Sequence, residues 1–174
     1  MNNNNFLETD RLYINKINLL NDIPQVRHYY NDKETMCWIP NRKDYYTSEY
    51  LSMKFESYNK LYENGIGIYK ITHKADNKII GEIGLYDCDK TDNAIEIGYI
   101  ILSTYWRRGL ATELLIKVED YIQHILKKRL IIAHLIKGNK ASEKLLQKRG
   151  YRKTQETKIS TEVTRIQYTK TLTD

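Results

Sequence analysis

The stretch STYWRRGLATELL, residues 103–115, places two arginines and a glycine between an apolar run and the first turn of a predicted helix. The first amide N–H groups of a helix have no partner within the helix, and the helix dipole is positive at that end. The small residues Gly109 and Ala111 leave room for a ligand to approach the backbone. This pattern predicts that Arg107, Arg108 and the amides after them bind an anion such as a phosphate. The alternative is that the two arginines are solvated surface charges.

Two carboxylates lie inside otherwise apolar strands, Glu82 within 78–87 and Glu96 within 94–102. A carboxylate in such a strand is costly unless it is solvated or paired, so both are candidates for proton transfer. Strand alternation places Glu96 on the face opposite Ile101 unless a bulge intervenes. The alternative for each is a half-exposed strand carboxylate without a catalytic role.

The remaining nucleotide-binding motifs and reactive side chains lack the spacing that their chemistry requires. No Gly-x-x-x-x-Gly-Lys-Ser/Thr motif occurs, and Gly65-Ile66-Gly67 lacks a third glycine and a preceding strand, which disfavours ATP and NAD. The four histidines show no metal-ligand spacing, so no metal is predicted, and His134 is interpreted as a core residue. Cys37 and Cys88 fit neither a disulfide framework nor a nucleophile beside a base, which favours a reducing cytosol.

Length and composition are those of one globular domain spanning residues 1–174, with a frayed start at 1–5. Apolar residues make up 41% of the chain, enough for a core. The net charge is +6, but basic and acidic residues alternate, which argues against nucleic acid as a partner. The longest apolar run, 130–136, is too short to cross a bilayer, and no leader pattern opens the chain, so a cytoplasmic protein without a membrane role is expected.

Hydrophobic periodicity predicts seven strands and four helices in the order β-α-α-β-β-β-α-β-α-β-β. The fifth strand follows the fourth through a helix, which makes that pair parallel. The predicted strands are 11–17, 66–72, 78–87, 94–102, 130–136, 151–158 and 163–171, and the predicted helices are 22–32, 47–64, 109–126 and 139–150.

WRRGLA, followed by NKASEKLLQKRGY, resembles the acetyl-CoA loop and the later helix of the GNAT (Gcn5-related N-acetyltransferase) superfamily. Residues 7–14, 95–115 and 133–153 are similar to its RimJ/RimL-type branch, whose members acetylate N-termini of ribosomal proteins or small amines. The resemblance spans roughly 7–171. It implies an α/β (α+β) GNAT fold with a mixed, mostly antiparallel sheet, flanking helices, and parallel fourth and fifth strands that splay apart.

The resemblance also implies acetyl-CoA as co-substrate and a set of residues that hold it. Tyr99 and Ile101 of the fourth strand would pair through their backbone with the pantetheine arm. Asn139 would contact the same arm, although an Asn at that position also serves as a helix N-cap. Trp106 stands where most of the superfamily has Gln or Arg, and a Trp is usual in the RimJ/RimL branch. The pyrophosphate would bind the amides of Arg107, Arg108, Gly109, Leu110, Ala111 and Thr112.

For catalysis, the resemblance places Ser142 close to the cofactor sulfur, where a cap of the helix is the alternative role. Leu146 stands where much of the superfamily has a Tyr that protonates the leaving thiolate. Either Ser142 assists, through water if needed, or the thiolate leaves unassisted. Glu96, and after it Glu82, are the candidate bases for the attacking amine. Open N–H groups at the splay would stabilise the oxyanion.

The expected function is direct transfer of an acetyl group to a primary amine in a ternary complex, without a covalent enzyme intermediate. The first expected acceptor is a protein N-terminus, as in ribosomal-protein enzymes. A small amine such as an antibiotic or polyamine is the alternative, and an inactive acetyl-CoA-binding module is the third. Tyrosines of the first two helices would shape the acceptor pocket. A monomer or homodimer is expected.

Overall fold

The computed structural model describes residues 5–88 and 93–173. Its strands are β1 (Leu7–Glu8), β2 (Leu12–Lys16), β3 (Gly67–His73), β4 (Lys78–Asp87), β5 (Ala94–Ile101), β6 (Leu130–Ile136), β7 (Arg152–Lys158) and β8 (Thr164–Thr171). Its α-helices are α1 (Ile23–Tyr30), α2 (Ser48–Asn59), α3 (Leu110–His124) and α4 (Lys140–Lys148), and 3₁₀ turns cover Thr35–Trp38, Lys60–Asn64 and Ser103–Tyr105.

The strands form one eight-stranded sheet in the order β1-β2-β3-β4-β5-β6-β8-β7. Neighbouring strands are antiparallel except β5 and β6, which are parallel. The GNAT fold expected from the sequence is therefore confirmed, including the order of the predicted elements. The two-residue strand β1 is an addition that the sequence pattern did not indicate.

Boundaries differ from the prediction mainly in the second helix, which was expected to extend to Asn64. The Thr47 side chain caps this helix by accepting from the Tyr50 N–H. Its α-helical part ends at Asn59, and a 3₁₀ turn continues to Gly65, whose φ of 72° stops it. The frayed start expected at 1–5, apart from Asn5, lies outside the described residues, as do residues 89–92 between the predicted strands 78–87 and 94–102.

Helices cover both faces of the sheet. On one face, Tyr30 of α1 and Lys54 of α2 both reach Glu82 of β4. On the other, Ser142 of α4 contacts Tyr99 of β5. One face of α3 is fully buried at Leu114, Leu115, Val118 and Ile122, whereas Ile125 just after the helix is exposed.

β5 and β6 separate partway along their length. They pair only from Ala94–Leu130 to Ile97–Ala133. Beyond that point β5 stays paired with β4 as far as Ile101, and β6 stays paired with β8 as far as Ile136. Each strand keeps its outer neighbour, so a gap opens between them in the middle of the sheet.

Candidate active site

The gap exposes the backbone of the second half of β5. The Leu102 N–H donates to the Ile80 carbonyl at 2.7 Å, which fixes the side of β5 that faces β4. Because backbone groups of successive residues point to opposite sides, those of Tyr99 and Ile101 face the gap. Trp106 Nε1 donates to the Ile101 carbonyl at 2.6 Å. Within residues 5–88 and 93–173, the N–H and carbonyl of Tyr99 and the N–H of Ile101 have no hydrogen-bond partner and can pair with a ligand.

The start of α3 supplies a second set of open amides beside this gap. The chain takes left-handed conformations at Arg107 (φ 60°) and Gly109 (φ 77°) just before the helix begins. The Glu113 N–H bonds to the Gly109 carbonyl at 3.1 Å, whereas within residues 5–88 and 93–173 the amides of Leu110 to Thr112 donate to no acceptor. These amides lie at the positive end of the helix dipole, which suits a phosphate.

The two arginines of the loop differ in where their side chains lie. Arg107 lines the cavity beside the gap. The Arg108 guanidinium donates to the Thr104 carbonyl at 2.8 Å and lies 4.9 Å from the centre of the Tyr105 ring. The Arg108 side chain therefore packs on the protein and does not line the cavity, so for Arg108 only the backbone amide stays a predicted pyrophosphate contact.

A contact that the sequence did not indicate holds this loop in place. The Glu113 carboxylate accepts from the Thr9 hydroxyl, from the Arg11 N–H at 2.9 Å and from Arg11 Nε at 2.6 Å. Arg11 Nη1 also donates to the Arg108 carbonyl at 2.8 Å. Burial would raise the pKa of Glu113, but these donors outweigh burial and lower that pKa below its ordinary value. Arg11 and Glu113 thus tie the β2 end of the sheet to the mouth of α3.

A cavity of about 450 Å³ follows the gap from the α3 loop to α4. It is lined by nine of the ten residues predicted to hold acetyl-CoA; Arg108 is the exception. Open amides at one end and an unpaired strand edge at the other match a diphosphate joined to an amide-bearing arm. The nine are Tyr99, Ile101, Arg107, Gly109, Leu110, Ala111, Thr112, Asn139 and Ser142.

The first turn of α4 brings Ser142 to the same cavity. The Asn139 side chain accepts from the Ser142 N–H at 3.2 Å, so Asn139 is the helix cap that the alternative interpretation expected, and it lines the cavity as well. The Tyr99 hydroxyl donates to Ser142 Oγ at 3.3 Å. Burial raises the pKa of Tyr99, and the contact with Ser142 partly offsets this. Leu146 is buried and offers no proton.

A second cavity of about 400 Å³ lies on the α1–α2 side of β5. Both carboxylates singled out in the sequence, Glu82 and Glu96, line it. Five of the aromatic residues that line it are Tyr30, Trp38, Tyr46, Tyr50 and Tyr86. Gly98, Tyr99 and His134 line both cavities, so the two meet at β5.

Glu82 is buried and fully engaged by donors. Its two oxygens accept from the hydroxyls of Tyr29 at 2.7 Å and Tyr30 at 2.8 Å. Burial, and next the Glu82 charge, raise the pKa of both phenols well above their ordinary value. Lys54 Nζ lies 3.7 Å from Glu82 Oε1 and donates to the Tyr30 hydroxyl. This carboxylate is compensated on every side, which suits an architectural role better than proton exchange.

Glu96 is the more accessible carboxylate, with 40% of its side chain exposed. The register between β4 and β5 is continuous, so no bulge moves Glu96 from the face opposite Ile101. Its Oε1 lies 3.0 Å from His134 Nδ1. The interpretation of His134 as a core residue is wrong, since its ring lines both cavities. Nothing in the sequence pattern distinguishes this histidine, because β6 reads as a continuous buried strand.

In the described ranges no cluster of three His, Cys, Asp or Glu side chains forms a possible metal site. Likewise, no helix within the described part of the chain has the length and apolar character needed to span a membrane.

Comparison with known proteins agrees with this geometry. A family model described as "Acetyltransferase (GNAT) domain" matches residues 11–152. An uncharacterized N-acetyltransferase, YoaA of Bacillus subtilis (strain 168), is 31% identical over 149 residues, covering 84% of this chain and 82% of that protein.

Solved structures share the fold at lower identity. RimL, a ribosomal L7/L12 alpha-N-protein acetyltransferase in complex with coenzyme A, superposes with a TM-score of 0.83 at 12% identity, covering 97% of this chain and 98% of that one. The microcin C7 self-immunity acetyltransferase MccE, in complex with acetyl-CoA and AMP, gives a TM-score of 0.79 at 16% identity, covering 94% and 93%.

Proposed function

This chain belongs to the GNAT acetyltransferase family, and we propose that within it the protein acetylates the α-amino group of a protein N-terminus, as enzymes of the RimJ/RimL branch do. It is an acetyl-CoA-dependent N-acetyltransferase. The observation that carries the proposal is the meeting of two cavities at the open edge of β5. One has the shape and donors for acetyl-CoA, and the other has room for an amine.

In this proposal acetyl-CoA lies along the first cavity. Its pyrophosphate accepts from the amides of residues 107–112, and its pantetheine arm pairs with Tyr99, Ile101 and Asn139. The open N–H groups of β5 face the thioester oxygen and stabilise the charge that develops on it. Holding both reactants against one strand edge supplies proximity, which contributes much of the rate in such transfers.

We propose that Ser142 assists the departure of the thiolate. The Ser142 residue lines the acetyl-CoA cavity, and its hydroxyl accepts a hydrogen bond from the Tyr99 hydroxyl, so the pair offers a short path for protonating sulfur. Transfer is direct in this scheme. The support is that neither Cys37 nor Cys88 lines either cavity.

For the base, the contacts favour Glu96 over Glu82. Glu82 is buried and already accepts from two phenols, whereas Glu96 is half exposed in the acceptor cavity. A general base must reach the proton it removes, and only the accessible carboxylate meets that condition without rearrangement.

The charge of the acceptor cavity supports a protein N-terminus over a polycation. Two carboxylates, Glu82 and Glu96, and two permanent cations, Lys54 and Arg165, line this cavity, and Lys54 Nζ lies 3.7 Å from Glu82 Oε1. A polyamine or aminoglycoside would need uncompensated negative charge. A second candidate acceptor is a small amine with a single positive charge. The aromatic walls favour it, because a cation binds to the face of an aromatic ring.

The test is to incubate the purified protein with acetyl-CoA and a panel of acceptors while following free thiol. The panel holds peptides with free N-termini, the same peptides with blocked N-termini and an internal lysine, and small monoamines and polyamines. Release of thiol with the free peptides only, and mass spectrometry placing the acetyl group on the α-nitrogen, would support the proposal. Turnover of monoamines alone would favour the second candidate. Coenzyme A binding without turnover of any acceptor would leave a binding module.

We further propose that residues 1–174 form a single domain that acts as a monomer or homodimer in the cytoplasm. The continuous eight-stranded sheet supports one domain, and the free thiols of Cys37 and Cys88 fit a reducing compartment. Light scattering of the purified protein measures the oligomeric state.

A further inference from the structure

His134 lies where β5 and β6 separate. Ala133 forms the last pair with β5, through Ile97, and His134 follows it on β6. The ring lines both the acetyl-CoA cavity and the acceptor cavity, and 20% of its side chain is exposed. It therefore lies beside the place where the two reactants would meet.

Hydrogen bonds behind the ring favour one of its two nitrogens as the proton carrier. Thr154 Oγ1 donates to the Gln167 carbonyl at 3.4 Å, so this hydroxyl has to accept from Gln167 Nε2, which lies 3.1 Å away. The Gln167 amide then presents its oxygen to His134 Nε2 at 3.3 Å. A neutral His134 ring accordingly has its proton on Nε2 and a bare Nδ1.

The bare Nδ1 lies against a carboxylate. Nδ1 is buried and 3.0 Å from Glu96 Oε1, yet no aligned hydrogen bond joins them. A lone pair facing an anionic oxygen repels it, whereas a proton on Nδ1 makes the ring a cation and turns the contact into an attractive ion pair. Glu96 and His134 together thus have a place for one additional proton.

We propose that His134 is a positioning residue for Glu96, and that the pair acts as one base that takes and holds the proton released by the acceptor amine. This inference rests on the proposed function. Glu96 removes one proton from the acceptor ammonium, and that proton comes to rest on Nδ1 before leaving to water. The free amine then forms the N–C bond as the C–S bond breaks, and a second nitrogen proton ends on the departing thiolate.

The other charged groups that face this pair come from three elements packed around the acceptor cavity. Across the cavity, the opposite charges of Lys54 and Glu82 compensate each other. On β8, Arg165 lines the cavity and adds a positive charge. Among the residues that the structure describes, the charged residues lining the cavity beside the pair are Lys54 on α2, Glu82 on β4 and Arg165 on β8.

Kinetic variants test the coupling of the two residues. Glu96→Gln is expected to lower kcat about 100-fold, within the range for loss of a general base. His134→Asn, which cannot hold the proton, is expected to lower kcat about 10-fold or more, with the acceptor KM and coenzyme A affinity within about 3-fold of wild type. The double variant is expected to lose no more than Glu96→Gln alone. Losses that multiply would overturn the proposal.

His124→Asn is the matched control. His124 Nδ1 also lies 3.0 Å from a carboxylate oxygen, that of Asp120, but on the exposed surface of α3 and outside both cavities. Its kcat is expected to equal that of wild type. A loss as large as that of His134→Asn would show that any such pair supports activity through stability alone, and would refute the role of His134.

A spectroscopic measurement decides the question even if no acceptor is turned over. In a ¹H–¹⁵N spectrum of histidine side chains, with the signal assigned through His134→Asn, His134 is expected to carry its proton on Nε2. Glu96→Gln is expected to shift the His134 Nδ1 resonance and leave that of His124 in place. A proton fixed on Nδ1 with a bare Nε2, or an Nδ1 resonance indifferent to Glu96→Gln, would contradict the proposal. If the protein does not acetylate the proposed acceptor but the Glu96–His134 pair exists as inferred, the expected signals would still be observed.

Discussion

Variants of Gly109 distinguish the effect of backbone conformation on folding stability from the effect of added charge on coenzyme A binding at the loop before α3. Gly109 has a φ of 77°, and a Cβ built there would lie 3.6 Å from Arg11 Nη2, an ordinary contact distance. A Cβ therefore fits in space, but an L-residue in the left-handed region costs about 1–2 kcal/mol. Gly109→Ala, Gly109→Gln and Gly109→Glu should share this loss of folding stability.

Only Gly109→Glu adds negative charge beside the open amides. A unit charge about 4 Å from a phosphate opposes binding by about 1 kcal/mol in water and by about 4 kcal/mol at an effective dielectric constant of 20. The loop is exposed, so about 1–3 kcal/mol is expected, equivalent to a loss of coenzyme A affinity of roughly 5- to 150-fold relative to Gly109→Gln. Higher salt should narrow this difference.

Isothermal titration with coenzyme A measures the affinities, and thermal unfolding measures the shared backbone cost. Gly109→Gln is the matched control because it has the size of Glu without the charge. Equal affinity for the Gln and Glu variants, both close to wild type, would refute the assignment of a diphosphate to these amides. An equal, large loss for both would mean that bulk, and not charge, excludes the ligand.

Three further predictions follow from the contacts around the two cavities. Ser142→Ala and Tyr99→Phe should each lower kcat about 10-fold while coenzyme A affinity stays within about 2-fold; unchanged turnover would reduce Ser142 to part of a helix cap. Glu113→Gln should lose about 1–3 kcal/mol of stability at pH 7. Because the folded pKa of Glu113 lies below its ordinary value, its stabilisation is present above that ordinary pKa and is lost as the pH falls through the folded pKa. Denaturation curves of variant and wild type should therefore converge in acid. Glu82→Gln should destabilise the fold by about 1–3 kcal/mol, because it weakens two buried hydrogen bonds. Its kcat should stay within about 3-fold of wild type when measured at a lower temperature at which the variant is folded, and a loss as large as that of Glu96→Gln would make Glu82 a candidate base again.

The sequence by itself determined the order of the elements and the position of the loop with open amides before α3. Helix and strand periods are read within a short window, and the open amides before α3 depend only on Gly109 and its immediate neighbours. The parallel pairing of β5 and β6 also followed, because a strand that returns through a helix runs parallel to the first.

Only the tertiary structure decided which groups each polar side chain contacts. The sequence left Glu82 and Glu96 as near equals, and packing separated them by giving Glu82 the donors of α1 and α2 and leaving Glu96 beside His134. The Tyr99–Ser142 contact and the Arg11–Glu113 pair join residues 43 and 102 positions apart. Such contacts depend on where the strands diverge and how helices pack across the sheet, and these distances between elements are not encoded in any local pattern of residues.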